Sequence, residues 1–382
     1  MEGRILFITS RLNIDKNGGY LGSKRNLENL QSIFGEKLDV FNIKSTNFKR
    51  IINIVFFKRL ELISLRAEKQ ILSEIKKNKY KIIFLDNSGY GYLCENIKIK
   101  FPDIKIITFC HDINLYLFSS ILKEYEKDKN GIKKFLRIVK LYFEKRNAKL
   151  NEIKTFKYSD VIITLNNRDS QLLKKIYKKD SNAEIGVTLK SNNNQLYKKS
   201  KEKKLKILFV GTASLKANVT GIEFFIDKVL KYLTNIELNI VGKGFEKYKE
   251  SFENKNKSIN VIGTVEKIDE YYIANDIIIA PIFAGGGMKI KTAEALSYGK
   301  TIFGTKEAFE GYEVDYEKVG GLCNTAEEFI EAITKYIELW KISNKSSFNE
   351  YSYQIFKEKY SYEASIKKFE EIFKKLEREE SI

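Results

Sequence analysis

The feature that most constrains the fold is an alternation of short apolar runs, rich in Ile, Val and Phe, with longer stretches of helical period. This alternation is typical of a parallel sheet whose strands are joined by crossover helices. The pattern occurs twice, without a sequence repeat. The predicted strands are Ile5–Thr9, Leu38–Phe41, Lys81–Asp86, Ile104–Phe109 and Val161–Leu165 in the first half, and Lys206–Gly211, Ile236–Gly242, Ile259–Gly263, Asp276–Pro281 and Thr301–Thr305 in the second.

The chain has 382 residues, enough for two domains of ordinary size. Residues 191–204 are rich in Asn, Ser and Lys and poor in core residues, which is typical of a linker. We therefore predict one Rossmann-like domain over residues 1–190 and another over residues 205–350. The expected fold class is α/β, with two doubly wound domains facing across a cleft in which ligands bind at the carboxyl ends of the strands.

Residues 351–382 are predicted to end the chain as an amphipathic helix. Apolar side chains recur at spacings of four, three, four and three, at Tyr362, Ile366, Phe369, Phe373 and Leu376. Such a face must be buried, and packing back on the N-terminal domain is one placement that the pattern leaves open.

Composition narrows the class of protein only partly. The net charge of +18 favours polyanionic partners: nucleic acid, an anionic lipid surface or phosphorylated small molecules. The cysteines Cys94, Cys110 and Cys323 are odd in number and lack CxxC spacing, which predicts neither a disulfide framework nor a zinc site. Because no apolar run approaches the roughly 18 residues of a membrane span and Met1 leads into a strand, we expect a soluble or peripheral protein. The cysteine usage favours the reducing cytoplasm, and a peripheral place at the inner face of the membrane stays open.

The most informative stretch is GGGMKIKTAEAL, Gly285 to Leu296, which follows a predicted strand and opens a helix. Its glycines let backbone N–H groups approach a ligand, and the positive end of the helix attracts an anion such as phosphate. Lys291 and Glu294 share one helix face, while Lys289 lies near the helix start. The alternative is a surface helix with an ion pair after a flexible turn, which needs no ligand.

This segment resembles the donor-binding signature of GT-B glycosyltransferases, particularly the family 4 group: Gly-x-(Arg/Lys)-x-Lys-x-x-Glu-Ala, then a Gly and a strand. The resemblance implies that Glu294 holds the ribose hydroxyls of a nucleotide and that Lys291 contacts its diphosphate as a catalytic group. Many members carry a Glu where Gly286 stands here, so the resemblance leaves sugar recognition open. The implied donor-binding residues of this segment are Gly286, Gly287, Met288, Lys289 and Glu294.

Other strand-end loops resemble the same family. Gly18 and Gly19 follow the first strand, like the glycine loop that approaches the donor phosphates, although a plain flexible turn is an equal alternative. Gly211, Thr212 and Lys216 resemble a second diphosphate loop, in which Lys216 replaces the usual Arg or is simply solvated. Glu310, in a Glu-Gly pair, resembles a residue placed near the nucleotide.

His111 is the only histidine and follows a predicted strand, beside Asp112. At the carboxyl end of a strand, a histidine can hydrogen-bond a substrate hydroxyl or take part in proton transfer. The resemblance implies that His111 lies against the donor sugar as a catalytic residue, whereas a structural role is the common alternative for a lone histidine.

The resemblance implies a retaining, hexosyl-type glycosyltransferase. An acceptor-binding N-terminal domain and a nucleotide-sugar-binding C-terminal domain would move a sugar from a nucleotide-diphosphate donor, with UDP favoured, to a glycan or lipid-linked acceptor in bacterial surface polysaccharide or glycoconjugate synthesis. No cofactor is expected, because the nucleotide sugar is a substrate. No Asp-x-Asp motif follows a strand, so we expect no metal, and lysines and helix N-termini would neutralise the diphosphate.

Two basic stretches, residues 132–157 and 48–62, combine cations with apolar residues. They suit peripheral contact with an anionic membrane or an ordinary solvated helix face. Two other functions stay open: a GT-B-type nucleotide-sugar epimerase and a basic nucleic-acid-binding protein, although no nucleic-acid-binding module is evident. A Rossmann dehydrogenase is disfavoured because Val241–Gly244 lacks the rest of the dinucleotide fingerprint.

Overall fold

The computed structural model describes residues 3–12, 18–44, 54, 58–60, 63–126, 132–190, 204–285, 287–342 and 347–379. Nearly all of the predicted linker and most of the basic stretch 48–62 lie outside these ranges. The chain divides into two compact units: unit 1 comprises Met1–Gly186 and Ser365–Ile382, and unit 2 comprises Val187–Ala364.

Unit 1 contains a parallel six-stranded sheet with the order β2-β1-β3-β4-β5-β6. The strands are β1 (Ile5–Thr9), β2 (Leu38–Asn42), β3 (Ile82–Leu85), β4 (Lys105–Cys110), β5 (Val161–Thr164) and β6 (Ala183–Glu184). The helices that join them are α1 (Gly18–Phe34), α2 (Leu65–Asn78), α3 (Gly91–Lys100), α4 (Asn114–Glu126), α5 (Ile132–Tyr158) and α6 (Asn167–Tyr177), and a 3₁₀ turn spans Gly35–Lys37.

Unit 2 contains a second parallel six-stranded sheet, with the order β12-β11-β10-β7-β8-β9. Its strands are β7 (Leu205–Val210), β8 (Ile236–Val241), β9 (Ile259–Gly263), β10 (Ile277–Ala280), β11 (Thr301–Gly304) and β12 (Gly320–Leu322). The α-helices of unit 2 are α7 (Lys216–Phe224), α8 (Lys249–Glu253), α9 (Asp269–Ala274), α10 (Ile290–Ser297), α11 (Tyr316–Val319), α12 (Ala326–Ile342) and α13 (Glu350–Ile355). The last helix, α14 (Tyr362–Glu379), begins in unit 2 and continues in unit 1. Shorter turns are the π-helices Phe225–Val229 and Phe356–Tyr360 and the 3₁₀-helices Leu230–Tyr232 and Phe245–Tyr248.

Both sheets are covered on both faces, which explains why their strands are continuous apolar runs. Every residue of β3, β5 and β10 is buried. In a parallel sheet, the crossover helices pack on the two faces, so inward and outward side chains must both be apolar. All ten strands that the sequence pattern predicted are therefore present, and each boundary agrees to within one residue.

The two strands that the pattern missed are at the sheet edges. β6 has two residues and β12 has three, and none of the five is fully buried. Short edge strands pair along only one side and need little apolar surface, so they leave a weak hydrophobic pattern.

Helix α14 begins in unit 2 but packs in unit 1, after residues 351–361 have packed in unit 2. Its side chains Phe369, Ile372, Phe373 and Leu376 join the core beneath the first sheet, together with Phe84. The Phe373 ring meets Phe34 edge-on at 4.6 Å between centroids. The predicted amphipathic helix is thus present, and its apolar face contributes to the core of unit 1.

Each sheet has a point where the strand order reverses. In unit 1 it lies between β1 and β3, and in unit 2 between β10 and β7. Helices leave the two neighbouring strands in opposite directions at such a point, which opens a crevice at the carboxyl ends of the strands. A ligand site is therefore expected in the loops that follow β1, β3, β7 and β10.

Candidate functional site

The glycine segment joins β10 to α10 at the reversal point of unit 2. Gly285 has φ 153° and Gly287 has φ 61°, and side-chain-bearing residues rarely adopt either conformation. Gly286 lies outside the described residues, so its proposed role stays a sequence prediction. Gly299, the glycine that follows the helix in the signature, has φ 57° just beyond the end of α10, as is common where a helix stops.

Lys291 reaches from α10 across to the neighbouring strand. Its Nζ donates to Asn218 Oδ1 at 2.8 Å and lies 4.7 Å from the centroid of the Phe209 ring. Phe209 is on β7 and Asn218 is on the helix that follows it, so Lys291 bridges the two strands at which the order reverses. A cation thus lies at the place where a doubly wound sheet binds its ligand.

The surroundings of Lys291 disfavour its own charge. Burial favours the neutral amine, and the nearby Lys289 adds repulsion; together these outweigh the attraction of Glu294 and lower the pKa of Lys291 to about 7. An anionic ligand would reverse this balance, because a negative charge close to Nζ favours the ammonium. The site therefore holds a cation that is at its most stable when an anion is bound.

Asn218 links Lys291 to the predicted second diphosphate loop. Its Nδ2 donates to the Thr212 carbonyl at 2.9 Å while its Oδ1 accepts from Lys291. A Cβ at Gly211 would lie 2.8 Å from Asn218 Cγ, so the close approach of this amide requires glycine. Asn218 therefore brings the Gly211–Thr212 loop and Lys291 together, whereas Lys216 is exposed at the first residue of α7.

Glu294 is held by a buried phenol. Tyr272 donates its hydroxyl to Glu294 Oε2 at 2.9 Å and stacks on Tyr298 at 4.9 Å between centroids. Burial, with the charge of Glu294, raises the pKa of Tyr272 well above its ordinary value, so the phenol keeps its proton and donates. Sequence reasoning missed Tyr272, because α9 carries no motif that distinguishes it from a connecting helix.

Lys289 lies beside the glycines, as predicted, but it is already paired. Its Nζ donates to Glu307 Oε1 at 2.6 Å and to the Gly287 carbonyl at 2.9 Å. Thus Glu307, which sequence reasoning overlooked, supplies the carboxylate beside the glycine segment. Glu310 lies half-buried in the same turn.

Met288 is buried, and its sulfur accepts the Val187 N–H at 3.4 Å. The side chain therefore packs within unit 2, and any contribution to a ligand has to come from the backbone of this position. Thr292 also fixes α10, since its hydroxyl donates to the Ala308 carbonyl at 2.7 Å.

In unit 1, the loops at the reversal point meet around Asp86. This carboxylate follows β3 and accepts hydrogen bonds from Thr9 at the end of β1, at 3.0 Å, and from Asn26 of α1, at 2.9 Å. His111, which directly follows β4, places its Nε2 2.9 Å from Asp86 Oδ1. The sequence placed His111 correctly at a strand end but suggested Asp112 as its companion, whereas the structure shows that Asp86 contacts the ring.

The Asp86 contact fixes the orientation of the imidazole. Burial by itself would raise the pKa of Asp86, but the charge and hydrogen bond of His111, with the bond from Asn26, lower it overall. An ionised carboxylate only accepts, so Nε2 carries a proton and donates it to Asp86. Nδ1 lies against α1, where a Cβ at Gly22 would come within 3.1 Å of it.

Gly18 and Gly19 are in the first turn of α1, not in the preceding loop. The sequence suggested a loop there because a Gly-Gly pair favours a turn, but a helix N-terminus tolerates glycine as well. Asn17 lies outside the described residues.

Glu152 fixes the segment that follows His111. This buried carboxylate of α5 accepts from the backbone N–H groups of Asn114 and Leu115, at 2.7 and 3.1 Å, at the start of α4. Ser88 and Tyr177 donate to it at 2.9 and 2.6 Å. Burial raises its pKa despite these four donors. A negative group at a helix N-terminus stabilises that helix, so Glu152 anchors the loop that carries His111.

Within the described ranges, no three His, Cys, Asp or Glu side chains form a group that could hold a metal ion. The three cysteines are free and buried, as expected for small core residues. Among the helices that are described, none is both long and apolar enough to cross a bilayer.

Comparisons with known proteins agree with this geometry. Residues 204–338 match the family Glycosyl transferases group 1. An uncharacterized glycosyltransferase of Methanocaldococcus jannaschii is 27% identical over 311 residues, covering 77% of this chain and 73% of that protein. Among solved structures, Anabaena HepE in complex with UDP has a TM-score of 0.66 at 13% identity, covering 97% of this chain and all of HepE. WaaG, a glycosyltransferase involved in lipopolysaccharide biosynthesis, has a TM-score of 0.61 at 13% identity, covering 95% and 98%.

The similarity to these solved structures shows the class of fold, which is that of the GT-B glycosyltransferases. More particularly, the region from β7 to α12 is similar to the group 1 glycosyltransferases.

Proposed function

We propose that the protein transfers a hexosyl group, with retention and without a metal ion, from a UDP-sugar to a glycan or lipid-linked acceptor in bacterial surface polysaccharide or glycoconjugate synthesis. The observation that carries the proposal is the meeting of Lys291, Asn218 and the glycine segment at the reversal point of the second sheet. These groups supply a cation and backbone N–H groups, which a diphosphate needs.

The chemistry assigned to unit 2 is stabilisation of the leaving group. As the bond between the anomeric carbon and the diphosphate oxygen breaks, the oxygen keeps the bonding electrons and gains negative charge. Lys291 lies where it can neutralise that charge, and charge that develops in a partly desolvated site is stabilised more strongly than in water. The acceptor hydroxyl bonds to the anomeric carbon from the same face and gives up its proton to the departing diphosphate.

Glu294 is assigned to the ribose. Its carboxylate can accept from two vicinal hydroxyls, and the Tyr272 hydrogen bond holds it in one orientation. The structure of HepE bound to UDP supports uracil as the base, and the role of WaaG supports a surface polysaccharide or glycolipid product.

Unit 1 is assigned to the acceptor and to the sugar. His111, oriented by Asp86, is proposed to lie against the donor sugar. We place the enzyme in the cytoplasm, where UDP-sugars are made and where its free cysteines stay reduced.

The test is product analysis with a panel of nucleotide sugars. Mass spectrometry should detect slow donor hydrolysis with one UDP-sugar and transfer once an acceptor is added, and NMR should show the anomeric configuration of the donor retained. EDTA should leave the rate unchanged. Lys291→Met should lower the rate by about a thousandfold, whereas Lys335→Met, an exposed lysine of α12, should not.

Three outcomes would count against this assignment. If the protein turns over none of the nucleotide sugars, it is not a glycosyltransferase. If the product has the opposite anomeric configuration, the reaction is inverting and not retaining. Conversion of the donor to an epimer without any acceptor would assign the site to a nucleotide-sugar epimerase instead.

A further inference from the structure

A pair of opposite charges lies directly against the glycine segment. Lys289 Nζ donates to Glu307 Oε1 at 2.6 Å, and only 13% and 21% of the two side chains are exposed. A Cβ at Gly285 would come within 3.4 Å of Lys289 Nζ and 3.7 Å of Glu307 Oε1. Both ends of the ion pair therefore lie against the backbone of Gly285 and form part of the wall of the loop between β10 and α10.

Glu307 is brought to this loop by the turn that follows the neighbouring strand, β11. Two buried side chains fasten that turn to α10 and to the residue before it. The Thr292 hydroxyl donates to the Ala308 carbonyl at 2.7 Å, and the Tyr312 hydroxyl donates to the Lys289 carbonyl at 2.7 Å. The position of the Glu307 carboxylate is thus set by the packing of β11 on β10, and not by a surface contact alone.

The proposed mode of donor binding places the sugar beside this ion pair. A nucleotide sugar is a linear molecule in which the diphosphate separates the nucleoside from the sugar. Glu294 is assigned to the ribose and Lys291 to the diphosphate, and the direction from the first to the second leads toward the N-terminal end of α10. The sugar then follows at the glycine segment. Residues 285–287 are all glycine, so the side chains that recognise the sugar must come from beside them.

We infer that Glu307 is the specificity-determining residue for the donor sugar: its carboxylate accepts hydrogen bonds from the hydroxyls of a neutral hexose and repels a hexuronate. The inference rests on the proposed function, since it takes the place of the diphosphate from Lys291. A carboxylate can accept about four hydrogen bonds, so one bond from Lys289 does not exhaust it. The same bond compensates the charge of Lys289, so this cation offers little attraction to a negatively charged sugar.

The alternative is an ion pair that only shapes the loop. In that case the loss of either partner would disturb the glycine segment in the same way, and every nucleotide sugar would bind more weakly to a similar extent. Sugar recognition by Glu307 predicts opposite effects for the two partners, because one removes a negative charge beside the sugar and the other removes a positive charge.

Calorimetric titration with matched donors tests the inference. UDP-glucose and UDP-glucuronate differ only at C6 of the sugar, as do UDP-galactose and UDP-galacturonate. We expect the unmodified protein to bind a UDP-hexose at least about tenfold more tightly than its hexuronate, since two like charges about 5 Å apart in a partly buried site repel by that much or more. This ratio is compared between variants, so that any effect on diphosphate binding cancels.

Two substitutions are predicted to move the ratio in opposite directions. Glu307→Gln keeps the size of the side chain and removes its charge. It should lower the ratio by about tenfold or more, because the hexose loses charge-assisted hydrogen bonds and the hexuronate meets an uncompensated Lys289. Lys289→Met leaves the carboxylate and should raise the ratio. The matched control Glu331→Gln makes the same change at an exposed position of α12 and should leave the ratio unaltered.

A ratio near one in the unmodified protein would overturn the inference. So would a ratio that Glu307→Gln leaves unchanged, or one that Lys289→Met fails to raise, because the pair would then only shape the loop. Each of these results is compatible with UDP binding and leaves the proposed function standing. UDP alone is therefore titrated as well: if the unmodified protein does not bind it, the proposed function fails and this inference fails with it.

Discussion

Lys291 is the residue on which the donor site depends. Its ammonium is held by one amide oxygen and one aromatic ring, at the end of two adjacent strands. Burial lowers its pKa to about 7, so the free protein holds this charge only weakly near neutral pH. A bound diphosphate supplies the missing counter-charge, which makes anion binding and protonation of Lys291 interdependent.

We predict that affinity for a UDP-sugar falls as pH rises from about 7 to about 9, approaching tenfold per pH unit. At a pH below the pKa of Lys291 in the free protein, this side chain is already charged. At a pH above that pKa, the protein must take up a proton each time it binds the ligand. A UDP-sugar is used because its esterified phosphates do not titrate in this range. Calorimetry in two buffers of different ionisation enthalpy measures the proton uptake, and a flat profile in the unmodified protein would refute the prediction. In Lys291→Met the profile should be flat and the affinity low.

Tyr272→Phe is predicted to weaken nucleotide binding while sparing the chemical step. The phenol hydrogen bond to Glu294 is charge-assisted and worth about 1.5–3 kcal/mol, which corresponds to a rise in Kd of roughly 10- to 150-fold. At saturating donor kcat should stay within about twofold, since Glu294 is assigned to the ribose and not to the reacting bond. Tyr271→Phe, at the neighbouring position of α9, removes the same hydroxyl group from a partly exposed side chain and serves as the control. An unchanged Kd for the Tyr272 variant would show that the hydrogen bond does not position Glu294.

At the scale of elements, the donor site is built by two helix starts that lie side by side. Helix α7 brings Asn218 and helix α10 brings Lys291, and each helix follows one of the two strands at the reversal point. The close packing of α7 on the end of β10 is made possible by Gly221. A Cβ at that position would lie 2.0 Å from the Pro281 carbonyl oxygen.

Gly221→Ala is therefore expected to destabilise unit 2. Helix propensity alone would favour Ala over Gly by about 1 kcal/mol, but overlap with a backbone oxygen cannot be relieved by rotating a side chain. Overpacking of this kind costs about 1–3 kcal/mol, and moving α7 away would also carry Asn218 from Lys291. Urea unfolding and UDP titration should both show a loss. Thr220→Ala, at the exposed neighbouring position, should show little change, and a Gly221 variant as stable as the unmodified protein would contradict the packing argument.

The sequence predicted elements better than it predicted contacts. Apolar runs identify buried strands because a strand that is covered on both faces must be apolar at every position. The glycine segment identified the loop before α10 because the backbone of that loop has positive φ angles, which glycine adopts readily. Asp86, Glu307 and Tyr272 were missed, since each acts through a partner distant in sequence and no local pattern encodes that partner. An acidic residue that directly ends an apolar run, as Asp86 does, was the one available signal.

At the scale of the molecule, the chain leaves unit 1 at Gly186 and returns to it at Ser365. Helix α14 then completes the core of unit 1 with Phe369, which is fully buried against Phe84. The N-terminal unit therefore depends on helix α14, and folding of unit 1 requires that this helix has been synthesised.

Phe369→Ala is predicted to lower the stability of unit 1 by about 3–5 kcal/mol, the usual cost of a large cavity in a core. The far-UV circular dichroism transition in urea should move to lower concentration, while UDP affinity, which belongs to unit 2, should be retained under native conditions. Lys367→Ala, exposed on the same helix, should leave the transition in place. An unaltered transition for the Phe369 variant would mean that α14 is not part of the core of unit 1.

The central claim is that the reversal point of the second sheet binds the nucleoside diphosphate of a sugar donor. Calorimetric titration with UDP at low and high salt, on the unmodified protein and on Lys291→Met, tests it most directly. We predict saturable one-to-one binding that persists at high salt and is lost in the variant. The claim would be contradicted if UDP did not bind and oligonucleotides bound with an affinity that falls steeply with salt. The net positive charge would then serve nucleic-acid binding.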